Sequence, residues 1–270
     1  MTLCHMLDVS YGPDGDQQLR LKLQNGADAN ERDSSGEAAI HVAARRRRPN
    51  AINILLEYGA EINALNAHGK TAYAHAIRRG FGETADLLRE HGADTDLNSA
   101  DRLAVLLTSG KLDEAAGLIA REPGIVRTGN PEEDRLLADL AGRDAAAAAV
   151  EMLLKAGANP DAPGLDGGTP LHQTAWFGQP GNARRLLNAG AKLDDFNNAH
   201  NGSALGWAAH GSRFSGDAAA RSDAYVELVQ LLLAAGASVA YPGREGDDAY
   251  LKVLHQDASE AVRAVLPPID

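Results

Sequence analysis

Residues 169–191 read TPLHQTAWFGQPGNARRLLNAGA, and the architecture of the whole chain can be worked out from them. Thr169 can cap a helix with its side-chain oxygen, and Pro170 suits the first helical position, where its missing N–H is no loss. Gly190 follows a second, more apolar segment, and glycine adopts the left-handed conformation found after a helix C-terminus without a steric clash. The stretch therefore predicts two short helices. Neither is long enough to be stable alone, so both must pack against neighbours.

The end of this stretch, an apolar pair followed by Gly-Ala, recurs along the chain. The recurring glycines stand at positions 26, 59, 92, 157, 190 and 236, and three of the five intervals are the same 33-residue step. The interval between positions 92 and 157 spans about two such steps and predicts one further copy at Gly124, while the interval between 190 and 236 predicts 13 extra residues in one unit. Twelve of these are placed between two helices, from Arg213 to Ala224, where they are expected to loop out on one face. A 33-residue period predicts a stack of helix pairs.

In period and motif, the chain resembles the ankyrin repeat family. The family motif Thr-Pro-Leu-His is intact at Thr169–His172 and degenerate at positions 38–41, 71–74 and 203–206. The resemblance implies an all-α ankyrin-repeat solenoid of about seven to eight helix-turn-helix units with short turn or hairpin fingers. It also implies that the histidine at the fourth motif position, His41 or His172, hydrogen-bonds to the backbone of neighbouring turns.

One domain is expected over residues 1–270, with fewer than a tenth of its residues in strands. It would comprise an N-terminal cap at 1–26, repeats at 27–237 and a C-terminal capping repeat at 238–270, because a solenoid needs capped ends. Aromatic residues make up only 4% of the chain, so its core must consist of Leu, Ile, Val and Ala. Such a core suits closely packed helices better than sandwiches or barrels.

The charge and cysteine content narrow the class of protein further. A net charge of −11 argues against a nucleic-acid or anionic-membrane partner for the protein as a whole. A single cysteine, Cys4, fits a reducing compartment, and neither a targeting segment nor an 18-residue apolar stretch occurs. We therefore expect a cytoplasmic monomer, and the Ala- and Arg-rich composition is typical of bacterial genomes of high GC content.

Catalytic signatures are missing from the sequence. It contains no G-x-S-x-G, H-E-x-x-H, Walker A or C-x-x-C motif. Cys4 lies in a cap with no positioned base beside it, and the nine histidines show no cluster with metal-ligand spacing. We therefore predict no catalytic residue, no cofactor and no metal site.

Four arginines form the first candidate binding site. Arg45 and Arg78 are one period apart, as are Arg46 and Arg79, so each pair should stack on adjacent repeats about 10 Å apart. In the resemblance, these positions face the concave groove, which makes the four residues a two-by-two array. One interpretation is recognition of carboxylates or phosphates. The other is that the arginines favour the helix dipoles and pair with nearby Glu or Asp.

The second candidate site is aromatic. Trp176 and Phe177 occupy the same groove position in the fifth unit, and Trp207 lies one helical turn before His210 in the sixth. Exposed tryptophan is a typical anchor of protein interfaces, although these rings could instead pack beneath the insertion. Acidic residues flank this half of the groove: Asp166, Asp194, Asp195, Asp247 and Asp248.

The main hypothesis is a non-enzymatic module that binds another protein through its concave groove, and a partner with an acidic segment would complement the arginines. The alternative is a small-molecule-binding protein or enzyme with a pocket near Trp176, Trp207, His210 and the insertion at 213–224. Enclosure of those rings by the insertion would favour the alternative, whereas an open surface would favour protein binding. Nucleic-acid binding by the arginines is a third, disfavoured hypothesis because the rest of the chain is acidic.

Overall fold

The computed structural model describes residues 2–9, 12–164 and 166–269. They belong to two compact units, Met1–Ser109 (unit 1) and Gly110–Asp270 (unit 2). Regular structure in the described ranges is helical, without a named strand, and Arg32 and Ala38 form an isolated antiparallel bridge. None of the helices found in these ranges has the length and apolar character needed to cross a membrane.

Unit 1 is a stack of short helices. They are α1 (Leu3–Val9), α2 (Gly12–Gln24), α3 (Ala39–Arg45), α4 (Pro49–Glu57), α5 (Ala72–Arg78), α6 (Gly82–Glu90) and α7 (Ser99–Thr108). The first helices of successive pairs pack side by side in the order α1, α3, α5, α7, and the second helices do so in the order α2, α4, α6. Aliphatic side chains such as Ile52, Leu55 and Leu88 are fully buried between them.

Unit 2 repeats this arrangement. Its helices are α8 (Leu112–Arg121), α9 (Pro131–Asp134), α10 (Leu136–Ala141), α11 (Ala147–Lys155), α12 (Pro170–Trp176), α13 (Pro180–Asn188), α14 (Ala204–Phe214), α15 (Ser222–Ala234), α16 (Ala249–Asp257) and α17 (Glu260–Arg263). Helices α10, α12, α14 and α16 pack in one row, and α11, α13, α15 and α17 in the other. The fold class is the predicted all-α repeat solenoid, whereas the extent of a single domain over 1–270 stays a prediction.

The predicted helix ends are confirmed at the recurring glycines. All six have left-handed φ angles between 82° and 94°, which place each of them just after a second helix. At the helix starts, the side chains of Thr71 and Ser203 accept hydrogen bonds from backbone N–H groups three residues later. Capping at both ends satisfies backbone groups that such short helices would otherwise leave without partners.

The motif histidines behave as the resemblance implies. His172 Nε2 lies 2.9 Å from the carbonyl oxygen of Asp195 and must donate to it, so Nδ1 accepts the backbone N–H of Thr169 at 3.1 Å. In unit 1, His41 Nε2 donates to the carbonyl of Lys70 at 3.0 Å, and its Nδ1 accepts from Ala38. Burial lowers the pKa of both imidazoles, so the neutral form is favoured.

The prediction of a repeat end at Gly124 is wrong. Helix α8 ends at Arg121, and Gly124 lies in a 3-10 helix at Pro123–Val126, outside the set of glycines with positive φ. Pro123 explains the difference, because a proline disfavours helical backbone at the residue before it. This helix therefore ends before a proline instead of at a left-handed glycine.

The insertion, residues 213–224, is also different from its prediction as a loop. Helix α14 has 11 residues where α12 has seven, and α15 has 13 where α13 has nine. A 3-10 helix at Ala219–Arg221 fills much of the remainder. Most of the extra residues therefore lengthen a helix pair and leave only a short turn between the two helices.

Candidate functional site

The C-terminal ends of α12 and α14 carry three neighbouring rings. Trp176 stacks on His210 with 5.6 Å between ring centroids and 29° between planes. Phe214 lies 4.4 Å from the same imidazole, between ring centroids, with its plane tilted by 34°. We call Trp176, His210 and Phe214 the aromatic row. It forms because α12 and α14 pack side by side, with Trp176 as the last residue of α12 and His210 four residues before the end of α14.

The ring of Trp207 packs against Trp176 of the aromatic row. Its ring meets Trp176 edge-on at 6.4 Å and His172 at 5.1 Å. Only 8% of Trp207 is exposed, and a side chain at Gly168 would come within 2.8 Å of its ring. The prediction of Trp207 as a partner-binding residue is therefore corrected: the ring is buried in the unit and positions Trp176.

An acidic residue of the next helix in this row of helices contacts His210. Asp257, at the end of α16, has its Oδ2 atom 3.2 Å from Nδ1 of His210. Because a carboxylate only accepts, Nδ1 carries the proton in this contact. The side chains of His210 and Asp257 remain 44% and 36% exposed, so the polar end of the row faces solvent.

Arg221 of the insertion and Tyr225 of α15 hydrogen-bond to the backbone of this site. The hydroxyl of Tyr225 donates to the carbonyl of Trp176 at 2.5 Å, and Arg221 donates to the carbonyl of Phe177 at 2.9 Å. Arg221 also pairs with Asp144. These contacts hold the backbone that carries the rings. Trp176 contacts both Trp207 and His210, so the three rings named for the hypothesised ligand pocket pack on one another.

Two further predicted residues lie on the same unit. Phe177 is 42% exposed and packs on Gly142, where it leaves no room for a side chain. It thus turns toward the end of α10, whereas Trp176 turns toward α14. Asp166 lies on an exposed turn before α12, and its carbonyl accepts the N–H of Ala199 at 2.9 Å.

In unit 1, the predicted exposure of the arginine array is wrong for Arg78 and Arg79. These residues are only 6% and 8% exposed. Arg78 Nε lies 3.0 Å from Asp101, a buried carboxylate that also accepts from Lys70 Nζ at 2.8 and 2.9 Å. Asp101 is the residue that the sequence interpretation missed, because it belongs to α7 and lacks any motif.

The other two arginines also have acidic neighbours. Arg45 is half-buried, with its guanidinium 3.2 Å from Asp8 and 3.4 Å from Glu37. Arg46 has a 37% exposed side chain and donates from Nε to Asp8 at 2.9 Å. Three of the four arginines therefore contact acids of the same unit, as the pairing interpretation proposed, whereas NH1 of Arg79 lies 3.4 Å from Nδ1 of His75.

Phe214 and Asp257 were also missed as site residues. Phe214 falls in the segment that was interpreted as a loop, and Asp257 falls in the expected capping repeat. A periodic signal for Asp257 does exist, since its separation from His210 is 47 in sequence, close to the 46-residue interval between Gly190 and Gly236.

Comparisons with known proteins return one family. Residues 7–99 match the family model described as ankyrin repeats, three copies. The chain is similar to the human ASB11 ankyrin repeat domain at 24% identity and a TM-score of 0.39, over 85% of this chain and 100% of that one. It is similar to the ankyrin repeat domain of Bcl-3, a member of the IkappaB family, at 22% identity and a TM-score of 0.34, over 76% of this chain and 92% of that one. No curated protein matches the chain. The family model thus identifies residues 7–99 as ankyrin repeats, and the packed helix pairs of unit 2 repeat the arrangement of unit 1.

Proposed function

We propose that this ankyrin repeat protein is a non-enzymatic protein-binding module and that unit 2 contacts the partner through the aromatic row. The observation that carries the proposal is the exposure of rings held in a fixed arrangement: Phe214 is 51% exposed and the His210 side chain 44%. Aromatic side chains are enriched at the centres of protein interfaces. Only 4% of the residues are Phe, Trp or Tyr, so three neighbouring rings at the surface are an unusual concentration of such anchors.

Rigidity supports the same proposal. Trp176 and His210 are on packed helices, and the backbone of Trp176 is hydrogen-bonded to the buried Tyr225. A partner would therefore meet rings whose conformational entropy is already reduced before binding. Phe177 and Asp166 are exposed and are proposed as further contacts on unit 2, and Arg46 as a separate contact on unit 1. Arg45 and Arg78 would act by holding acids of unit 1 in place.

The one cysteine supports a binding role over nucleophilic catalysis. Cys4 is buried, and burial raises the pKa of its thiol to about 12. At neutral pH the thiolate, which is the nucleophilic form, is therefore scarce. Its proposed role is to fill the core of the N-terminal cap.

Affinity capture tests the proposed function. The full chain, the double variant Phe214→Ala/His210→Ala and the control Leu21→Ala/Leu65→Ala are immobilised and exposed to a lysate of the source organism. The control removes two side chains of unit 1 that are 56% and 54% exposed, and so also reduces exposed apolar surface. We expect a protein retained by the wild type and the control to bind the double variant about thirtyfold more weakly, since two interface anchors at about 1 kcal/mol each are lost. Equal retention by all three chains, with unchanged melting temperatures, would refute the proposal.

A further inference from the structure

We infer that the segment that docks on the aromatic row is basic and that it places a guanidinium or ammonium group beside Asp257. This inference rests on the proposed function, and it names the chemistry of the partner. It starts from the groups that the row offers to a ligand. Asp257 carries a carboxylate, and the ring faces of Trp176 and Phe214 carry the negative side of an aromatic quadrupole.

The carboxylate of Asp257 points to the same chemistry. Its Oδ2 atom accepts from Nδ1 of His210 at 3.2 Å, while 36% of the side chain stays exposed, so lone pairs of the carboxylate are open to a ligand. The polar end of the row therefore presents acceptors to a ligand. A hydrogen-bond donor with a positive charge satisfies these acceptors, while an acidic side chain would meet Asp257 as a like charge.

The charge of the surrounding unit favours the same partner. Unit 2 contains 22 acidic and 14 basic residues, a net charge of −8, whereas unit 1 contains 15 acidic and 12 basic residues, a net charge of −3. The excess of acids thus lies in the unit that carries the row. Such a field steers a basic segment toward the site and slows the approach of an acidic one.

Arg213 shows how a cation can bind there. Its guanidinium carbon lies 5.0 Å from the centre of the Phe214 ring, and NH1 donates to the carbonyl of Gln256 at 3.3 Å. One ring face of the row therefore already holds a guanidinium from the same chain. An incoming basic side chain must displace or repel this group, so Arg213 should weaken the binding of a basic segment.

Peptide titrations of the full-length protein test the inference. The probes are acetyl-Gly-Arg-Gly-Arg-Gly-Arg-Gly-amide and the same peptide with Glu at each Arg position, both at physiological salt. The chain has two tryptophans, so the indole N–H signal of Trp176 reports the site in NMR spectra, and that of buried Trp207, which lies behind the Trp176 ring, should shift less. We expect the Arg peptide to shift the Trp176 signal and the Glu peptide to leave it unchanged.

Three variants make the result specific. Asp257→Asn should lower the affinity for the Arg peptide about tenfold, since a charge-assisted contact is lost. Asp113→Asn removes the same charge from α8, away from the row, and should change the affinity less than twofold. Arg213→Gln should raise the affinity for the Arg peptide about threefold.

The signs of these effects separate failure of the inference from failure of the proposed function. If the Glu peptide binds, tightens with Asp257→Asn and weakens with Arg213→Gln, the partner is acidic and only the inference is overturned. If the Arg peptide leaves the Trp176 signal unmoved, or binds Asp257→Asn and Asp113→Asn equally, the inference is overturned as well. The proposed function is decided separately, by the capture of a partner that depends on Phe214 and His210.

Discussion

The same position of the repeat carries opposite chemistry in the two units. The first helix of a pair ends at Arg45 and at Arg78 in unit 1 and at Trp176 in unit 2, and His210 lies one turn before the end of the longer helix α14. The arginines are drawn into contacts with acids of their own unit, and Arg78 is buried against Asp101. The rings pack on one another and still keep exposed faces. A guanidinium that is buried needs an internal counter-charge, so it is unavailable to a partner, whereas stacked rings can serve both roles.

The comparison also separates stability from recognition. In unit 1, Lys70 and Arg78 share the carboxylate of Asp101, and all three side chains are at most 6% exposed. Removal of one member of a buried ion cluster is costly because the remaining charges stay desolvated. In unit 2, the row has few buried charges to lose. Mutations at this repeat position should therefore change the stability of unit 1 and the binding of unit 2.

The largest effect should come from Asp101→Ala. The substitution leaves Lys70 and Arg78 buried without this carboxylate, and we expect the free energy of unfolding to fall by about 3–5 kcal/mol. Urea denaturation followed by circular dichroism measures the change. Asp96→Ala is the matched control, since Asp96 is exposed and its loss should cost at most about 0.5 kcal/mol. Similar losses of unfolding free energy in the two variants would show that the buried ion cluster does not stabilise unit 1, and the contrast between the units would fail.

The pH dependence of stability should be common to both units. Burial lowers the pKa of His41 and of His172 below the ordinary value of 6.5. Below that pH the unfolded chain binds protons that the folded protein does not, so stability is full above pH 6.5 and falls as the pH drops toward the folded-state pKa values. Each histidine should cost up to about 1.4 kcal/mol per pH unit in this range.

Unfolding free energies at pH 7.5 and pH 5.5 (about one unit either side of the reference pKa) measure this loss. His172→Gln lowers stability at both pH values because the contacts to Thr169 and Asp195 change. It should nevertheless reduce the difference between the two pH values. A difference identical to that of the wild type would show that His172 does not contribute to the pH dependence.

The smallest effect concerns Arg47, which has a left-handed φ of 51° at a turn where later repeats have Gly80 and Gly178. Arg47→Gly should relieve about 1 kcal/mol of backbone strain and lose up to about 0.5 kcal/mol of contact between the guanidinium and the Phe81 ring. We expect a net stabilisation of about 0.5–1 kcal/mol, measured as a higher melting temperature. Arg46→Gly, at an ordinary φ of −88°, should destabilise the protein. A stabilisation by both variants would contradict this explanation.

Much of the fold could be predicted because a repeat fixes helix ends by local chemistry. The left-handed glycines and the motif histidines act within their own or the neighbouring repeat, so the regular spacing of the glycines carries the architecture. The prediction of a repeat end at Gly124 is wrong because Pro123 ends α8 without a left-handed glycine. The prediction of a loop for the insertion is wrong because its residues have helix propensity, and tertiary packing lets them extend α14 and α15.

The site could be predicted only in part, for a related reason. Trp176 was found because it shares the repeat position of the arginines, and His210 because it lies just before the insertion. The burial of Arg78 depends on Asp101, which belongs to another helix and lies outside any motif. Asp257 is separated from His210 by an insertion that disturbs the period. Sequence spacing identifies which residues stack, but the counter-charges come from other helices, and their approach is decided by packing.

The ion pair between Arg221 and Asp144 has a consequence for how unit 2 unfolds. In an ordinary repeat stack, each helix pair contacts only its neighbours, so an end can peel off one pair at a time. Arg221 precedes α15 and reaches a residue 77 positions earlier, beside α11, so it passes over the α12–α13 pair. An exposed ion pair contributes at most about 1 kcal/mol, but this one couples next-nearest neighbours. Hydrogen exchange should therefore show α12–α15 opening with more cooperativity than a nearest-neighbour chain allows.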